Sequence, residues 1–167
     1  MGPWCFSPAS DGWTIAIVVC VDVSRNARCQ VTSHPTIGNH AEQRELGETF
    51  AAETGFLLQR DPDTVRAADV SFVSHARLRD LADYPGFPPL APDLAAEVVS
   101  PNDESSRVEA TAMGWLQAGV RVLVVDPQTK SIREYRSPDK IRFYCDGTID
   151  LKDVLPGFKL DALELFK

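Results

Sequence analysis

Two acidic residues stand in short segments that are otherwise mostly apolar: Asp69 in DVSFV (69–73) and Glu97 in DLAAEVV (93–99). A buried carboxylate without a partner costs several kcal/mol, so each of these side chains calls for a group that neutralises it. One divalent cation shared by the two would do so, because Mg²⁺ prefers one or two carboxylates together with water and phosphate oxygens. A bound metal ion can also activate water against a phosphoryl group. A metal ion that is shared by the two acids and acts on a phosphoryl group is therefore one explanation of the pair.

A purely structural explanation of the same acids stays open. Asp69 could simply cap a turn, and Glu97 could lie at an exposed sheet edge. An arginine could also neutralise Glu97, the candidates being Arg66, Arg107 and Arg121. On periodicity alone the structural explanation is the more frequent one, because ion pairs also account for lone acids in strands.

Other catalytic chemistries find little support in the chain. It contains no Gly-rich phosphate loop, no G-x-S-x-G elbow and no H-E-x-x-H pair. Its cysteines and histidines are not spaced as zinc ligands or as a catalytic triad, so we interpret the thiols as reduced and incidental. These residues are Cys5, Cys20, Cys29, Cys145, His34, His40 and His75.

Both acids are expected on neighbouring strands of a sheet. In DVSFV, Val70 and Phe72 face the side opposite to Asp69, as alternate residues of a strand do. In DLAAEVV, Glu97 shares a face with Asp93. Because Asp93 stands at the strand entrance, we expect it to serve a turn or a cap.

A helix is predicted directly after the second strand. Asn102, Asp103 or Ser105 can cap it, and it runs to about Ala118, with Gly119 where a C-terminal glycine belongs. Four of its residues recur at helical spacing and predict a stripe that faces the core. They are Val108, Ala112, Trp115 and Leu116. Trp115 is therefore expected in the core rather than as a platform for stacking bases.

The remaining segments complete an α/β pattern. The near-continuous apolar run RVLVVDP (121–127) is typical of a central strand covered on both sides. SIREYR (131–136) and IRFYC (141–145) alternate around a turn and predict a hairpin. Strand, helix, strand and then antiparallel strands predict a mixed central sheet flanked by helices.

The front of the chain follows this pattern least. NHAEQRELGETF (39–50) is polar and predicts a short helix, although Gly47 disfavours it. Residues 15–23 are rich in β-branched side chains and could form a strand. We therefore divide the chain into a divergent segment, 1–38, and a domain, 39–167.

Length and charge narrow the class of protein. The chain has 167 residues, which fits one domain with a real core. No apolar run approaches the roughly 18 residues of a membrane span, and the stretch before Ile15 lacks the basic residues of a signal peptide. We expect a cytoplasmic protein. Its 24 acids against 17 bases give a net charge of −7, which disfavours tight unspecific binding of DNA.

The segment from Thr54 to Phe166 resembles the Uma-type restriction endonucleases, a branch of the PD-(D/E)XK nuclease superfamily. Four blocks carry the resemblance, in the order and at the spacing of that family. They are TGFLLQRDPDTVRAADVSFV (54–73), PPLAPDLAAEVVSPND (88–103), LQAGVRVLVVDPQTKSIREYR (116–136) and DLKDVLPGFKLDALELF (150–166). The resemblance implies a restriction-endonuclease-like fold, cleavage of DNA with Mg²⁺ or Mn²⁺, and a homodimer.

The family's site residues carry over onto three positions. Its first metal-binding Asp falls on Asp69, although Ala68 stands where the family usually has Pro. Its second acid falls on Glu97. The lysine that the family supplies from the following helix falls on Thr111.

Two departures from the family bear on activity. The helix predicted over 105–118 contains no lysine, and a threonine at position 111 cannot supply a cation. The acidic helix that usually precedes the domain is also not evident, which leaves Glu42, Glu45 and Glu48 as candidates for its acid. The leading hypothesis is therefore a DNA endonuclease whose activity is impaired by Thr111. The alternative is an inactive nuclease fold that binds nucleic acid or protein.

Overall fold

A computed structural model describes residues 37–51, 54–78 and 87–166 of the chain. The strand predicted over 15–23 and nearly all of the segment 1–38 lie outside these residues. In chain order the elements are helix α1 (Ile37–Gln43), strands β1 (Gly47–Ala51), β2 (Phe56–Gln59), β3 (Thr64–Arg66) and β4 (Val70–Ser74), helix α2 (His75–Leu78), strand β5 (Leu94–Val98), helix α3 (Ser105–Gln117), strands β6 (Arg121–Asp126), β7 (Ser131–Ser137), β8 (Lys140–Tyr144), β9 (Thr148–Asp150) and β10 (Lys159–Asp161), and a 3-10 helix (Glu164–Phe166).

Six of these strands form one mixed sheet in the order β1-β4-β5-β6-β7-β8. Within it β5 and β6 pair in parallel, and the other neighbours pair antiparallel. A parallel pair needs a crossover connection, and α3 supplies it. β2 pairs with β3, and β9 with β10, as small separate sheets. The predicted α/β class and mixed central sheet are confirmed.

The two faces of the sheet bury separate apolar clusters. One face carries Val70, Leu94 and Leu123, and α1 and the C-terminal segment pack against it. The other face carries Val73 and Val124 and is covered by α3 and β2. β6 contributes side chains to both clusters, which explains why its sequence is continuously apolar rather than alternating.

The helix predicted over 39–50 is wrong beyond Gln43. Gly47 opens β1 instead, which pairs with β4. A Cβ atom at position 47 would overlap the carbonyl oxygen of Val73 and lie 2.8 Å from the ring of Phe72. The glycine therefore permits a close approach of the two strands β1 and β4, and this explains a glycine in a segment that was predicted to be helical.

Helix α3 matches its prediction closely at the C-terminal end. Gly119 follows it with a φ of 80°, the left-handed conformation of a C-terminal glycine. Its N-terminal end differs, since Glu104 is the N-cap residue and no side chain caps the helix. Asp103 instead accepts a hydrogen bond from the backbone N–H of Ser100, at 2.8 Å.

A buried ion network ties β6 to β7 and β8. Glu134 is 0% exposed and accepts hydrogen bonds from Arg121 at 3.0 and 2.5 Å. Tyr144 donates to its second oxygen at 3.0 Å, and Arg136 forms an ion pair at 3.2 Å. Burial opposes the charge of Glu134, but these donors outweigh burial and lower its pKa. At the rim, Asp153 lies 3.3 Å from Arg121.

The sheet ends in an edge strand with exposed apolar side chains. β8 pairs with β7 on one side, and Ile141 and Phe143 are 46% and 62% exposed. Cys145, directly after the strand, is an exposed free thiol. Among the described helices, none is long and apolar enough to cross a bilayer.

Candidate functional site

Asp69 and Glu97 project from the same face of the sheet. Val70 of β4 pairs with Ala96 of β5, so the antiparallel register extended by one residue sets Asp69 opposite Glu97. Directly opposed residues share a face, with Cβ atoms about 4.5–5.5 Å apart. This is the face that α3 covers. The strands thus bring together two acids separated by 27 intervening residues in sequence.

Each carboxylate is held through one of its two oxygens. The backbone N–H of Val98 donates to Asp69 Oδ2 at 2.7 Å, and the indole N–H of Trp115 donates to Glu97 Oε1 at 2.7 Å. No other hydrogen bond from the described part of the chain reaches either group. One oxygen of each acid therefore stays available to a ligand.

The electrostatics of the pair favour an added cation. Burial raises the pKa of Glu97 to about 7; the Trp115 hydrogen bond opposes the shift, and the charge of Asp69 adds to it. Arg66 lowers the pKa of Glu97, while Asp103 raises it. Burial also raises the pKa of Asp69, against the Val98 hydrogen bond. A divalent ion would relieve this repulsion and favour both carboxylates in their charged form.

The ion pairs proposed as the structural alternative are not formed. Arg121 is engaged by Glu134 and Asp153. Arg66 is close enough to act on the charge of Glu97. Over residues 37–51, 54–78 and 87–166, however, neither Arg66 nor Arg107 has a salt bridge to Glu97 within 4.0 Å. Within the described part of the chain, Glu97 is therefore not neutralised by an arginine contact.

The donor set matches a hard cation with an incomplete protein shell. The described residues contain no group of three or more His, Cys, Asp or Glu side chains that could hold a metal ion. Asp69 and Glu97 offer one free carboxylate oxygen each. Two such oxygens are what Mg²⁺ takes from proteins when water and phosphate complete its octahedron, whereas structural zinc and calcium sites need more protein ligands.

Thr111 lies on α3, four residues before Trp115 and therefore one turn away on the same side of the helix. Its side chain is partly buried and makes no hydrogen bond with the described residues. Arg107, the one basic residue of α3, is exposed in the first turn. The helix thus offers no cation at the position where the family lysine was expected.

Two residues that approach the acids make contacts that were not predicted, although Arg66 was named as a candidate partner of Glu97. Trp115 was assigned to the core, and it is indeed 0% exposed, but its indole edge also orients Glu97. Arg66, at the end of β3, lies against α3 at Gly114. A glycine inside a helical pattern is the one signal that could have pointed to this close approach.

The other candidate acids lie elsewhere. Glu42 and Glu45 belong to α1 and the turn after it, on the opposite face of the sheet from the pair. Glu48 shares the face of the pair but is exposed and aligned with Val73, which is four residues, or about 14 Å, along β4 from Asp69. Asp93 accepts a hydrogen bond from the backbone of Ser74 and pairs with Arg77 at 2.7 Å, a structural role as predicted.

Comparison with known proteins identifies the fold and the family of this chain. No curated protein matches the chain. Among solved structures, a crystal structure described as "a putative nuclease belonging to DUF820", from Anabaena variabilis ATCC 29413, superposes with a TM-score of 0.72. It is 18% identical and covers 95% of this chain and 83% of its own, so it shows the shared fold.

The family comparison reaches further than the fold. The model of the family Uma2, described as "Putative restriction endonuclease", matches residues 10–163. This match spans most of the chain and indicates a nuclease. The protein therefore belongs to the Uma2 family.

Proposed function

We propose that this protein is a divalent-metal-dependent endonuclease that hydrolyses phosphodiester bonds of DNA, with Asp69 and Glu97 as its metal ligands. One observation carries the proposal. The two acids stand opposite each other, each is fixed through one oxygen, and each keeps the other oxygen available. Family membership supports the reaction class, and the scarcity of protein ligands among the described residues supports Mg²⁺ or Mn²⁺ rather than zinc.

The chain's own groups would prepare the site for that reaction. The Val98 N–H and the Trp115 indole orient the two carboxylates, so that little reorganisation is needed when a ligand binds. Asp69 Oδ1 and Glu97 Oε2 would hold the ion. When bound, Mg²⁺ or Mn²⁺ supplies a more acidic water and offsets the charge that builds on the phosphoryl group.

Cleavage of supercoiled plasmid DNA tests the proposal. Purified protein should nick the plasmid with Mg²⁺ or Mn²⁺ but not with EDTA. Asp69→Asn and Glu97→Gln should abolish nicking while preserving the circular dichroism spectrum. Glu48→Gln is the matched control, because it removes an acid from the same sheet face at a distance, and it should cleave as the wild type does. Cleavage that survives both site variants would contradict the assignment.

A binding module without catalysis is the second candidate, and two observations favour it. The helix lacks the expected lysine at Thr111, and the net charge is −7. This alternative expects DNA binding without nicking under any divalent ion.

Size measurement by light scattering tests the homodimer that the family resemblance implies. The cytoplasmic location remains a prediction from the sequence.

A further inference from the structure

The side chain of Arg66 packs on the surface of α3 where Gly114 leaves space because it has no side chain. It is the last residue of β3, and β3 pairs with β2, whose Phe56 packs in the cluster under α3. A Cβ atom added to Gly114 would lie 2.6, 2.7 and 2.9 Å from the Nη2, Cζ and Nε atoms of Arg66. The guanidinium therefore occupies the space that any other side chain at position 114 would need.

The backbone does not account for this glycine. Gly114 lies inside α3 and is not among the glycines with a positive φ, so every residue type except proline could adopt its conformation. A glycine in a helix interior destabilises the helix relative to alanine. What the glycine allows is the close packing of the Arg66 guanidinium against the helix.

The guanidinium has no partner of its own in the described part of the chain. Arg66 is partly buried, and residues 37–51, 54–78 and 87–166 offer it neither a hydrogen bond nor a salt bridge. Its charge nevertheless acts on Glu97. A planar group with five N–H donors thus lies against α3 at Gly114, next to the Trp115 whose indole holds Glu97, and the described residues accept none of its hydrogen bonds. Such a fork matches the oxygens of a phosphate group.

We propose that Arg66 binds the scissile phosphate of the nucleic acid and takes the place of the cation missing at Thr111. The inference rests on the proposed function. Gly114 follows Thr111 by three residues, so the two positions are neighbours on one side of α3. The cationic group therefore belongs to β3, and it lies on the same side of α3 as Thr111. Arg107, the alternative, is exposed in the first turn, seven residues before Gly114.

Substitution of Arg66 tests the contact by two readouts. Arg66→Gln should lower the single-turnover rate of DNA cleavage by about 10², the loss typical of one electrostatic donor. It should also weaken binding of a fluorescently labelled DNA duplex by about tenfold in Ca²⁺, measured by anisotropy, and reduce the slope of log affinity against log salt by about 1. Arg66→Lys keeps the charge and should retain part of both.

Arg44→Gln is the matched control for charge and setting. The Arg44 guanidinium also lies against a glycine, Gly157, with its Nη1 atom 2.7 Å from the position of an added Cβ. Gly157 neighbours the cluster on the opposite face of the sheet. Arg44→Gln should therefore leave cleavage and binding unchanged. An equal loss in Arg44→Gln and Arg66→Gln would overturn the proposal, because it would reduce the effect to net charge.

Gly114→Ala separates the seat of the guanidinium from the stability of the helix. Alanine should raise the melting temperature or leave it unchanged, since helix propensity improves, yet the rate should fall about tenfold because Arg66 is displaced. Ala110→Gly, on the exposed side of the same helix, should lower the melting temperature and keep the rate. Full activity in a folded Gly114→Ala variant would show that the space left by Gly114 is not needed to position Arg66.

Thr111→Lys tests whether a cation at the helical position can replace the charge of Arg66. Alone it should raise the rate, and in the Arg66→Gln background it should restore about tenfold, because the lysine supplies the lost charge. Loss of cleavage and binding in Arg107→Gln, with Arg66→Gln unaffected, would overturn the assignment in favour of Arg107. If the wild type binds DNA but never cleaves it, the proposed function fails, and the binding comparison alone decides the role of Arg66.

Discussion

Trp115 combines a core position with one polar contact to the candidate site. The indole is fully buried, and its N–H is the donor that fixes Glu97 Oε1. A buried indole usually finds a partner for its N–H, and here the partner is Glu97, a proposed metal ligand. The apolar stripe of α3 thus serves both the packing of the helix and the geometry of the pair.

Trp115→Phe should therefore change the pH dependence of cleavage as well as stability. Removing the donor removes an interaction that lowers the pKa of Glu97, so the acidic limb of the pH–rate profile should move to higher pH. Val108→Ala truncates the same stripe without removing a donor. It should lower the melting temperature and leave the profile in place. A profile unmoved in Trp115→Phe would argue against an orienting role.

The raised pKa of Glu97 makes a prediction about stability. Its pKa rises from 4.5 to about 7 on folding, so the folded state binds the proton more tightly than the unfolded state. Stability therefore falls as pH rises between these values. Glu97→Gln removes the penalty and should be more stable than the wild type at pH 8, by about 3 kcal/mol at most, with little difference at pH 4.

Urea unfolding at the two pH values measures this difference, and added Mg²⁺ provides a second comparison. An ion that binds the folded wild type should stabilise it, by about 2.7 kcal/mol at a hundredfold excess over Kd, and should leave Glu97→Gln unaffected. Equal stability of both proteins at pH 8 would contradict a desolvated carboxylate at this position.

For single residues, the sequence predicted the two acids and named Arg66 as a candidate partner of Glu97. It did not predict the hydrogen bond from Trp115 or the contact of Arg66 with α3. Asp69 and Glu97 stand out because a charge interrupts an apolar run. The contacts of Trp115 and Arg66 depend on how β2, β3 and α3 pack over the sheet, and spacing along the chain does not record that packing. The roles of Asp69, Glu97 and Thr111 remain predictions that the variants above test.

Among the elements, β6 and β7 depend on charge as well as apolar packing. Glu134 on β7 is enclosed by donors from Arg121, Arg136 and Tyr144. Removing one member of a buried ion network leaves the others uncompensated, at a cost of about 3–5 kcal/mol. The sequence predicted this hairpin from alternation but showed no sign of the network.

Glu134→Ala should lower the free energy of unfolding by about that amount, measured in urea at pH 7. Because the folded pKa of Glu134 is lowered, its contribution is present above the unfolded value near 4.5 and is lost as pH falls through the folded value. Asp153→Asn removes the exposed rim partner of Arg121, 53% exposed, and should cost less than about 1 kcal/mol. Similar costs for the two variants would refute the buried network.

The elements that the sequence located well are those with unambiguous periodicity. Helix α3 and strands β4, β5 and β6 lie where their apolar patterns predicted, because each buries one continuous stripe or run. The segment 39–50 failed because its polar residues carry no period. Its division into α1 and β1 depends on contacts with β4, which lies about 25 residues further along the chain.

For the whole molecule, net charge limits how nucleic acid can bind. A chain with 24 acids and 17 bases gains little from unspecific attraction to phosphates. Binding should therefore depend on a few local contacts and on a divalent ion. The α/β class and the mixed central sheet followed from the order of elements and the family resemblance, whereas overall charge did not indicate the nuclease class.

The exposed edge of β8 has a consequence for the behaviour of the protein in concentrated solution. No strand of the described part of the chain pairs with the outer edge of β8. Such an edge with outward Ile141 and Phe143 is a template for another chain, and cationic side chains at an edge discourage such pairing. Lys140 and Arg142 alternate with the apolar pair along the strand. We expect the double variant Lys140→Thr, Arg142→Thr to form fibrils or precipitate in days of agitation, detected by thioflavin fluorescence and turbidity. Ile141→Lys should suppress both, and a double variant that stays clear would show that the edge is protected by some other means.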